Sequence, residues 1–537
     1  MIQNPILAGF NPDPSICRVG KDYYIATSTF EWYPGVQIHR SRNLSDWNLI
    51  TRPLSRANQL DMRGNPDSCG VWAPSLSFAD GLFWLIYTDV KRYDGNFKDA
   101  HNYLVTCETI DGQWSDPVYL NSSGFDPSLF HDSDGRKWFV NMCWNHRAGS
   151  LGKSPLYSPF GGILLQEYDH GERKLVGESE LIFTGSERGL AEAPHLFKRN
   201  GFYYLITAEG GTGYEHAVTH ARSRSVNGPY EIHPQEHLLV STPGADLQRT
   251  GHGQYVETPE GESYHTYLCS RPLPGVKRSP MGRETGIEKC VWGDDDWLRT
   301  VSGTTQASVY VDSPVNTEPE NEVTKPPTVS FDCTELPIEF QWLRTPYPQR
   351  LFSLSDRKGY LRLHGRESIG SWFEQSLVAR RQQHVNFTAG TRLDFQPQSF
   401  QQSAGLIAYY NRHKFHYLQI THDESVGRVI SIMSCNGDYP ESALTYPIDV
   451  VSLPSCDSVA LRIITQGSEL QIWYKTTGEW QIIGPVLDAS LLSDEGGRGE
   501  HASFTGAFVG MAAFDTSGTA HPADFSEFTY LPGPDYS

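Results

Sequence analysis

The sequence predicts an all-β protein with two domains, an N-terminal five-bladed β-propeller followed by a C-terminal β-sandwich. Three observations support this prediction. A motif recurs about every 60 residues through residue 311, a segment rich in Pro and Glu follows it, and strand-like alternation dominates the remainder. The length of 537 residues exceeds one small domain, and 12% aromatic residues are typical of a folded chain.

The recurring motif consists of a short start, a turn and then a run of β-branched and aromatic residues. Its starts lie at residues 13, 73, 126, 193 and 252, with gaps of 60, 53, 67 and 59 residues. The starts read Asp13-Pro14-Ser15, Ala73-Pro74-Ser75, Asp126-Pro127-Ser128, Ala193-Pro194-His195 and, more weakly, His252-Gly253-Gln254. Repeats of this kind predict one four-stranded blade each. The alternative is a sandwich with chance similarity, since Pro and Ser mark turns in every fold.

Beyond the repeats the composition changes. Residues 312–330 are rich in Pro and Glu and have no hydrophobic period, which is typical of an extended linker. We therefore assign residues 1–311 to the propeller and 331–537 to the second domain. Alternating runs at 459–463 and 470–475, with little helical periodicity, predict a β-sandwich of the jelly-roll, concanavalin-like class.

Charge and cysteine usage restrict the partners and the compartment. The chain has 63 acidic and 44 basic residues, a net charge of −19, so nucleic acid and anionic membranes would repel it. It has no apolar run of 18 residues, and its first residues do not resemble a signal peptide. Nine scattered cysteines without a Cys-x-x-Cys pair favour reduced thiols. We expect a cytoplasmic protein, with a secreted form as the alternative.

Three acidic residues occupy matched positions in the repeats. Asp13 and Asp126 begin the first and third repeats, and Glu192 precedes the start of the fourth. Because innermost strands of a propeller line its channel, we expect these carboxylates to converge. Their repulsion would keep at least one protonated, and a protonated acid facing an ionised one suits glycosidic-bond hydrolysis. A single Asp-Pro would more simply be a turn, and Glu187, in the preceding loop, is a weaker candidate.

Several segments together resemble the signature motifs of family 43 of the glycoside hydrolases. They are Asn11-Pro12-Asp13-Pro14-Ser15, Gly124-Phe125-Asp126-Pro127-Ser128, Ala191-Glu192-Ala193-Pro194-His195 and Gly282-Arg283-Glu284-Thr285. Within the family the match is to β-xylosidases with a C-terminal sandwich, over nearly the whole chain. The resemblance implies an inverting exo-enzyme that removes β-1,4-linked xylose from the non-reducing end of xylo-oligosaccharides, with α-L-arabinofuranosidase side activity. By motif, Asp13 would be the general base, Glu192 the general acid, and Asp126 the residue that tunes and orients the acid.

The same resemblance suggests the residues that bind the substrate. Phe30, Trp72 and Arg283 match positions that line the pocket, and Phe508 matches a residue that the sandwich inserts to close it. For both Phe residues, core packing is the alternative. His252 would face the channel and contact the sugar or a calcium or other divalent ion, although a structural histidine fits equally well. No cofactor is expected to be required, since hydrolysis needs none.

Three alternative functions place different requirements on the sequence. An enzyme acting mainly as an α-L-arabinofuranosidase is open, because both pentoses present similar hydroxyl groups. A retaining fructosidase would need carboxyl groups only ~5 Å apart, and its Trp-x-Asn-Asp-Pro signature is absent. A non-catalytic sugar-binding propeller would not need both an acid and a base. From the resemblance we expect a homo-oligomer, a dimer or a tetramer.

Overall fold

A computed structural model describes residues 1–93, 97–147, 159–315, 317, 326–497 and 503–533. Across these residues the chain forms 39 strands and two short 3-10 helices, Pro348–Arg350 and Ala489–Leu491. The all-β prediction is therefore confirmed. In this part of the chain no helix has the length and apolar character needed to span a bilayer.

The first domain is a ring of five antiparallel blades, numbered I to V in chain order. Blade I comprises Ser15–Val19, Asp22–Thr27, Gln37–Ser41 and Asn48–Thr51, and blade II comprises Gly70–Ala79, Leu82–Arg92, Asp99–Cys107 and Val118–Asn121. Blade III comprises Ser128–His131, Lys137–Trp144, Phe160–Asp169 and Lys174–Phe183, and blade IV comprises Glu192–Arg199, Phe202–Glu209, Ala217–Ser223 and Glu231–Val240. Blade V has Gln248–Gly251 and Tyr255–Glu257 paired with Ser263–Ser270, then Glu284–Trp292 and Leu298–Thr300. The five blades confirm the predicted propeller.

The five repeat starts share an unusual backbone conformation. Each lies in or beside the innermost strand of its blade, and each has a positive φ: Asp13 57°, Ala73 37°, Asp126 53°, Ala193 53° and His252 36°. Residues other than glycine seldom adopt this region. The pairing register slips beside the starts of blades II, IV and V, which is the mark of a β-bulge. Bulges of this kind redirect side chains, and here they lie beside three of the five repeat starts.

The N-terminal segment closes the ring. Ile2–Gln3 pairs with Tyr310–Val311, and the Asn4 side chain donates hydrogen bonds to the carbonyls of Ile287 at 2.7 Å and Ser308 at 2.8 Å. The chain therefore runs along blade V before it enters blade I at Ser15. This path places Asp13 at the junction between the first and last blades.

The second domain consists of two antiparallel sheets packed face to face. One sheet contains, in order, Phe352–Ser353, Leu361–His364, Pro522–Pro532, Phe387–Asp394, Val459–Gln466, Glu469–Lys475 and Gln481–Asp488, with Thr328–Ser330 beside Pro522–Pro532. The other contains Val451–Ser452, Gly427–Asn436, Lys414–Asp423, Gln402–Asn411, Phe508–Asp515, Ser376–Arg381, Phe340–Leu343 and Trp32–Tyr33. Buried side chains from both sheets, such as Leu393, Ile463, Leu406 and Met511, form the core. The predicted sandwich is confirmed.

The linker prediction extended too far toward the C-terminus. Thr328–Ser330 is already hydrogen-bonded to Pro522–Pro532, so the sandwich begins before residue 331. The sequence does not indicate this strand, because it has only three residues, follows a Pro-rich segment and pairs with residues some 200 positions away. Residues 316 and 318–325 of the predicted linker lie outside the described residues.

One strand of the propeller belongs to the sandwich. Trp32–Tyr33 pairs with Phe340–Leu343 and forms the edge of the second sheet. The Trp32 ring is fully buried and stacks on Phe508 with ring centroids 3.7 Å apart. The two domains therefore share both a sheet and a hydrophobic core, which fixes the sandwich against the open face of blade I.

We expect Trp32→Ala to lower the free energy of unfolding by about 3–5 kcal/mol, because it empties a buried, stacked site between the domains. Urea unfolding followed by fluorescence and circular dichroism measures the change. Phe400→Ala is the matched control, since Phe400 is 69% exposed on the sandwich and should change stability by less than about 0.5 kcal/mol. Equal stability of the two variants would contradict the shared core.

Candidate active site

A cavity of about 250 Å³ lies where the innermost strands of the propeller meet the sandwich. Its lining residues are Asp13, Phe30, Trp72, Tyr93, Lys98, Phe125, Asp126, Trp144, Phe160, Glu192, Gly211, Thr212, His252, Arg283 and Phe504. Seven of the eight residues singled out from the sequence are among them, the exception being Phe508. The repeat register therefore placed side chains from blades I to V around one cavity.

Asp13 is held by side chains from blades I and V. The Ser28 hydroxyl donates a hydrogen bond to its Oδ2 at 2.6 Å, and the same hydroxyl oxygen accepts the Ala73 N–H at 2.8 Å. Its other oxygen, Oδ1, lies 3.6 Å from both Nδ1 of His252 and Nη1 of Arg283. These contacts orient the carboxylate and place positive charge beside it.

Asp126 and Glu192 are both buried, at 7% and 5% exposure. Burial, and then the nearby charge of Asp13, raise the pKa of Asp126 to about 8, although the Ala193 N–H and Arg283 oppose the shift. Burial, followed by the charges of Asp126 and Asp13, raises the pKa of Glu192 well above its usual range. Within the described residues Oε1 of Glu192 has no hydrogen-bond partner. The raised pKa favours the protonated form of Glu192, whose side chain lines the cavity.

Arg283 connects the carboxylates to the sandwich. Its guanidinium is buried, and its Nη2 donates a hydrogen bond to the Phe504 carbonyl at 2.5 Å. Its Cζ lies 5.3 Å from the centre of the Phe30 ring. A fixed guanidinium here offsets part of the repulsion among the three carboxylates and can donate to sugar hydroxyl groups.

Trp72 lies at the centre of an aromatic wall. Its ring centroid is 5.8 Å from that of Phe30, 5.4 Å from Phe125, 5.8 Å from Tyr93 and 6.1 Å from Phe504. Flat ring faces of this kind suit the C–H faces of a sugar ring. The cavity therefore combines an apolar wall with a charged floor.

The predicted role of Phe508 is corrected by the structure. Phe508 is 1% exposed, stacks on Trp32 and packs edge-on against Phe10, so it belongs to the interdomain core and does not line the cavity. The sandwich residue at the cavity is Phe504, whose N–H bonds to the Ser68 hydroxyl at 3.0 Å. Residue 508 already belongs to a sheet strand, whereas the loop before it reaches the propeller.

Several lining residues were not anticipated from the sequence. Phe125 could have been found, because it occupies the same repeat position as Trp72 and Glu192. The other unanticipated side chains are Tyr93, Lys98, Trp144, Phe160 and Thr212. They come from strand ends and loops whose lengths differ between blades, so the repeat carries no signal for them.

Two weaker candidates occupy different places. Glu187 is exposed and lies outside the cavity lining. His252 faces Asp13, and burial lowers its pKa. Over the described ranges of the chain, no three His, Cys, Asp or Glu side chains are grouped so as to hold a metal ion. The divalent ion near His252 stays a prediction.

Glu192→Gln should stabilise the protein increasingly as the pH rises. The pKa of Glu192 is raised in the folded state. From about pH 4 upward this carboxyl group therefore ionises only in the unfolded chain, and the wild type loses stability as the pH rises. We expect equal Tm values near pH about 4 and a higher Tm for the variant at pH about 8, measured by thermal unfolding. Glu187→Gln, at an exposed position, is the control that should follow the wild type. A parallel pH profile for Glu192→Gln and the wild type would contradict the buried, protonated carboxyl.

Comparison with known proteins agrees with the geometry. The sequence model of glycosyl hydrolases family 43 matches residues 2–298, and that of the β-xylosidase C-terminal concanavalin A-like domain matches residues 328–531. The chain is 55% identical to xylosidase/arabinosidase 43B of Humicola insolens, over 99% of this chain and 98% of that one. It is 48% identical to a β-xylosidase of Bacillus subtilis, over 98% and 99%.

A solved structure extends the similarity to three dimensions. The crystal structure of a xylan β-1,4-xylosidase from Bacillus halodurans superposes with a TM-score of 0.95 at 48% identity, covering 99% of this chain and all of that one. Both domains and their arrangement are therefore shared. With a matching family model over more than half its length and close relatives over nearly all of it, the chain belongs to family 43 of the glycosyl hydrolases.

Proposed function

We propose that the protein hydrolyses terminal β-1,4-linked D-xylose from the non-reducing end of xylo-oligosaccharides with inversion of configuration. The observation that carries this proposal is the set of three buried carboxyl groups around one small cavity. A volume of about 250 Å³ lies below the ~300–1,000 Å³ of most ligand pockets and suits a terminal sugar. The names of the close relatives point to xylose.

The reaction needs one proton donor and one proton acceptor. Glu192 donates its proton to the glycosidic oxygen as the bond from that oxygen to C1 breaks. Asp13 accepts a proton from a water molecule whose oxygen forms the new bond to C1 from the opposite face. Asp126 keeps the acid protonated, since its proximity raises the pKa of Glu192.

The aromatic wall and Arg283 hold the sugar for this step. Trp72 and Phe30 present ring faces to the sugar, and Arg283 has an Nε donor without a partner among the described residues. Phe504 covers the cavity from the sandwich side and limits the entry of bulk water. Each of these groups acts on binding and orientation rather than on proton transfer.

A second activity, on terminal α-L-arabinofuranosides, is supported by one comparison. The Humicola relative at 55% identity is named for both xylosidase and arabinosidase activity. We propose that one cavity serves both pentoses, and that neither reaction requires a cofactor. The cytoplasmic location and the dimer or tetramer stay predictions from the sequence.

Proton NMR of the anomeric signals during hydrolysis of xylobiose tests both substrate and stereochemistry. We expect α-xylose as the first product, which then mutarotates. First release of β-xylose would show retention and overturn the role of Asp13 as a base. Absence of turnover on xylobiose, with release of p-nitrophenol from the α-L-arabinofuranoside, would replace the xylosidase by an arabinofuranosidase.

The dependence of kcat on the leaving group distinguishes the proposed general acid, Glu192, from the proposed general base, Asp13. Glu192→Ala should lower kcat on xylobiose by about 10²–10⁴-fold and less on p-nitrophenyl β-xyloside, whose phenolate leaves with little protonation. Asp13→Ala should be impaired on both substrates, because each needs activated water. Glu187→Ala is the control and should keep wild-type kcat. An inactive Glu187→Ala with an active Glu192→Ala would show that the repeat register is wrong.

A further inference from the structure

A second cavity, of about 160 Å³, lies at the seam between blade I and the sandwich. The N-terminal segment forms one wall of it through Asn11. Blade I contributes Gln37 and Arg52, and the sandwich contributes Glu339, Arg380 and Arg381. The cavity is therefore built from both domains and from the segment that leads to Asp13.

Positive charge is in excess around this cavity. Three arginines line the cavity, and Glu339 is the one carboxylate among its described lining residues. The lining therefore carries a surplus of two positive charges. Burial lowers the pKa of Arg52 to about 9, and burial together with the charge of Arg52 lowers that of Arg381 strongly. Because a guanidinium keeps its proton at neutral pH, both groups stay charged in a site that disfavours charge.

Neutral acceptors fix the arginines in place. Arg381, at 5% exposure, donates from Nε to the Phe10 carbonyl at 2.6 Å and from Nη1 to the Gln341 side chain. Arg380 donates from Nη2 to Gln383 at 2.8 Å. Nη2 of Arg381 and Nε of Arg380 have no hydrogen-bond partner among the described residues.

Arg52 completes the opposite wall. Its Nε and Nη2 both donate to Oε1 of Gln37, at 3.0 and 2.5 Å, and its Nη1 donates to the Ile338 carbonyl at 2.6 Å. The acceptors of these bonds are an amide oxygen and a backbone carbonyl oxygen rather than carboxylates. Preorganised guanidinium groups with unused donors match the oxygens of a small anion.

We propose that this cavity binds one small oxyanion, which Arg380 and Arg381 hold from the sandwich side and Arg52 from the propeller side. The volume exceeds the ~10–15 Å³ needed for one water molecule many times over, so a hydrated oxyanion fits. Phosphate, sulfate and a carboxylate share the required chemistry.

The bound anion would join the domains next to the catalytic machinery. Arg381 holds the Phe10 carbonyl, Asn11 lines the anion cavity, and Asp13 follows two residues later in the catalytic cavity. By neutralising the arginines, the anion therefore stabilises the contact between the domains and the segment of residues 10–13, which contains the proposed base Asp13.

Thermal unfolding of the full chain, titrated separately with sodium phosphate, sulfate and acetate at constant ionic strength in sodium chloride, tests the proposal. We expect a rise in Tm that saturates with at least one of these anions, because a ligand bound only to the folded state stabilises it. Isothermal titration calorimetry with the same anion should give one site per chain. A response to phosphate and sulfate alone identifies a tetrahedral oxyanion, and a response to acetate identifies a carboxylate.

Matched variants separate this site from a general salt effect. Arg380→Gln should abolish the saturable rise in Tm. Arg52→Gln should weaken that rise, and this variant leaves the hydrogen bond from Arg381 to the Phe10 carbonyl intact. Arg462→Gln is the control, since Arg462 packs on Trp480 away from the cavity and should leave the rise unchanged. The proposal is overturned if no anion exceeds chloride, if the rise is linear without saturation as expected for salt exclusion, or if Arg380→Gln retains it.

Discussion

Repulsion among three buried carboxyl groups is the constraint on which the rest of this structure depends. Asp13, Asp126 and Glu192 come from three blades, are buried and share one cavity. Burial and mutual charge raise the pKa values of Asp126 and Glu192, which favours their protonated forms at a pH where carboxyl groups are ordinarily ionised. The same arrangement costs folding free energy and favours the protonated carboxyl group that the proposed reaction requires, a compromise between stability and activity that is common at active sites.

The surrounding elements act to hold this unfavourable cluster together. The positive φ angles at the five repeat starts and the bulges beside them turn side chains toward the axis, at a cost in backbone strain. The N-terminal segment closes the ring by pairing beside blade V, and Oδ1 of Asp13 lies 3.6 Å from Nη1 of Arg283. The backbone strain at the repeat starts depends on ring closure, because only a closed ring imposes the same backbone geometry on every blade.

The sandwich is part of the site rather than an appendage. It shares a sheet with Trp32–Tyr33, and its Phe504 accepts a hydrogen bond from Arg283 and borders the cavity. A second cavity at the same seam is lined by three arginines, of which Arg381 is buried and Arg52 and Arg380 are half-buried. Acidic groups therefore gather on the propeller axis and basic groups at the domain junction, with residues 10–13 connecting the two.

The sequence by itself determined the features that follow from periodicity. Because each repeat builds one blade, equal positions in the repeats had to meet at the axis, and this identified Asp13, Asp126 and Glu192, whereas Trp72 was assigned to the pocket by the family resemblance. The tertiary structure alone decided which ring of the sandwich reaches the cavity, Phe504 in place of Phe508, and that Thr328–Ser330 is a strand. It also decided the arginine cluster, in which Arg52 lies 328 residues before the adjacent Arg380 and Arg381 in the chain. The physical reason is that repeats transmit their geometry through local backbone rules, whereas loops and domain seams are set by packing between distant segments that no local pattern encodes.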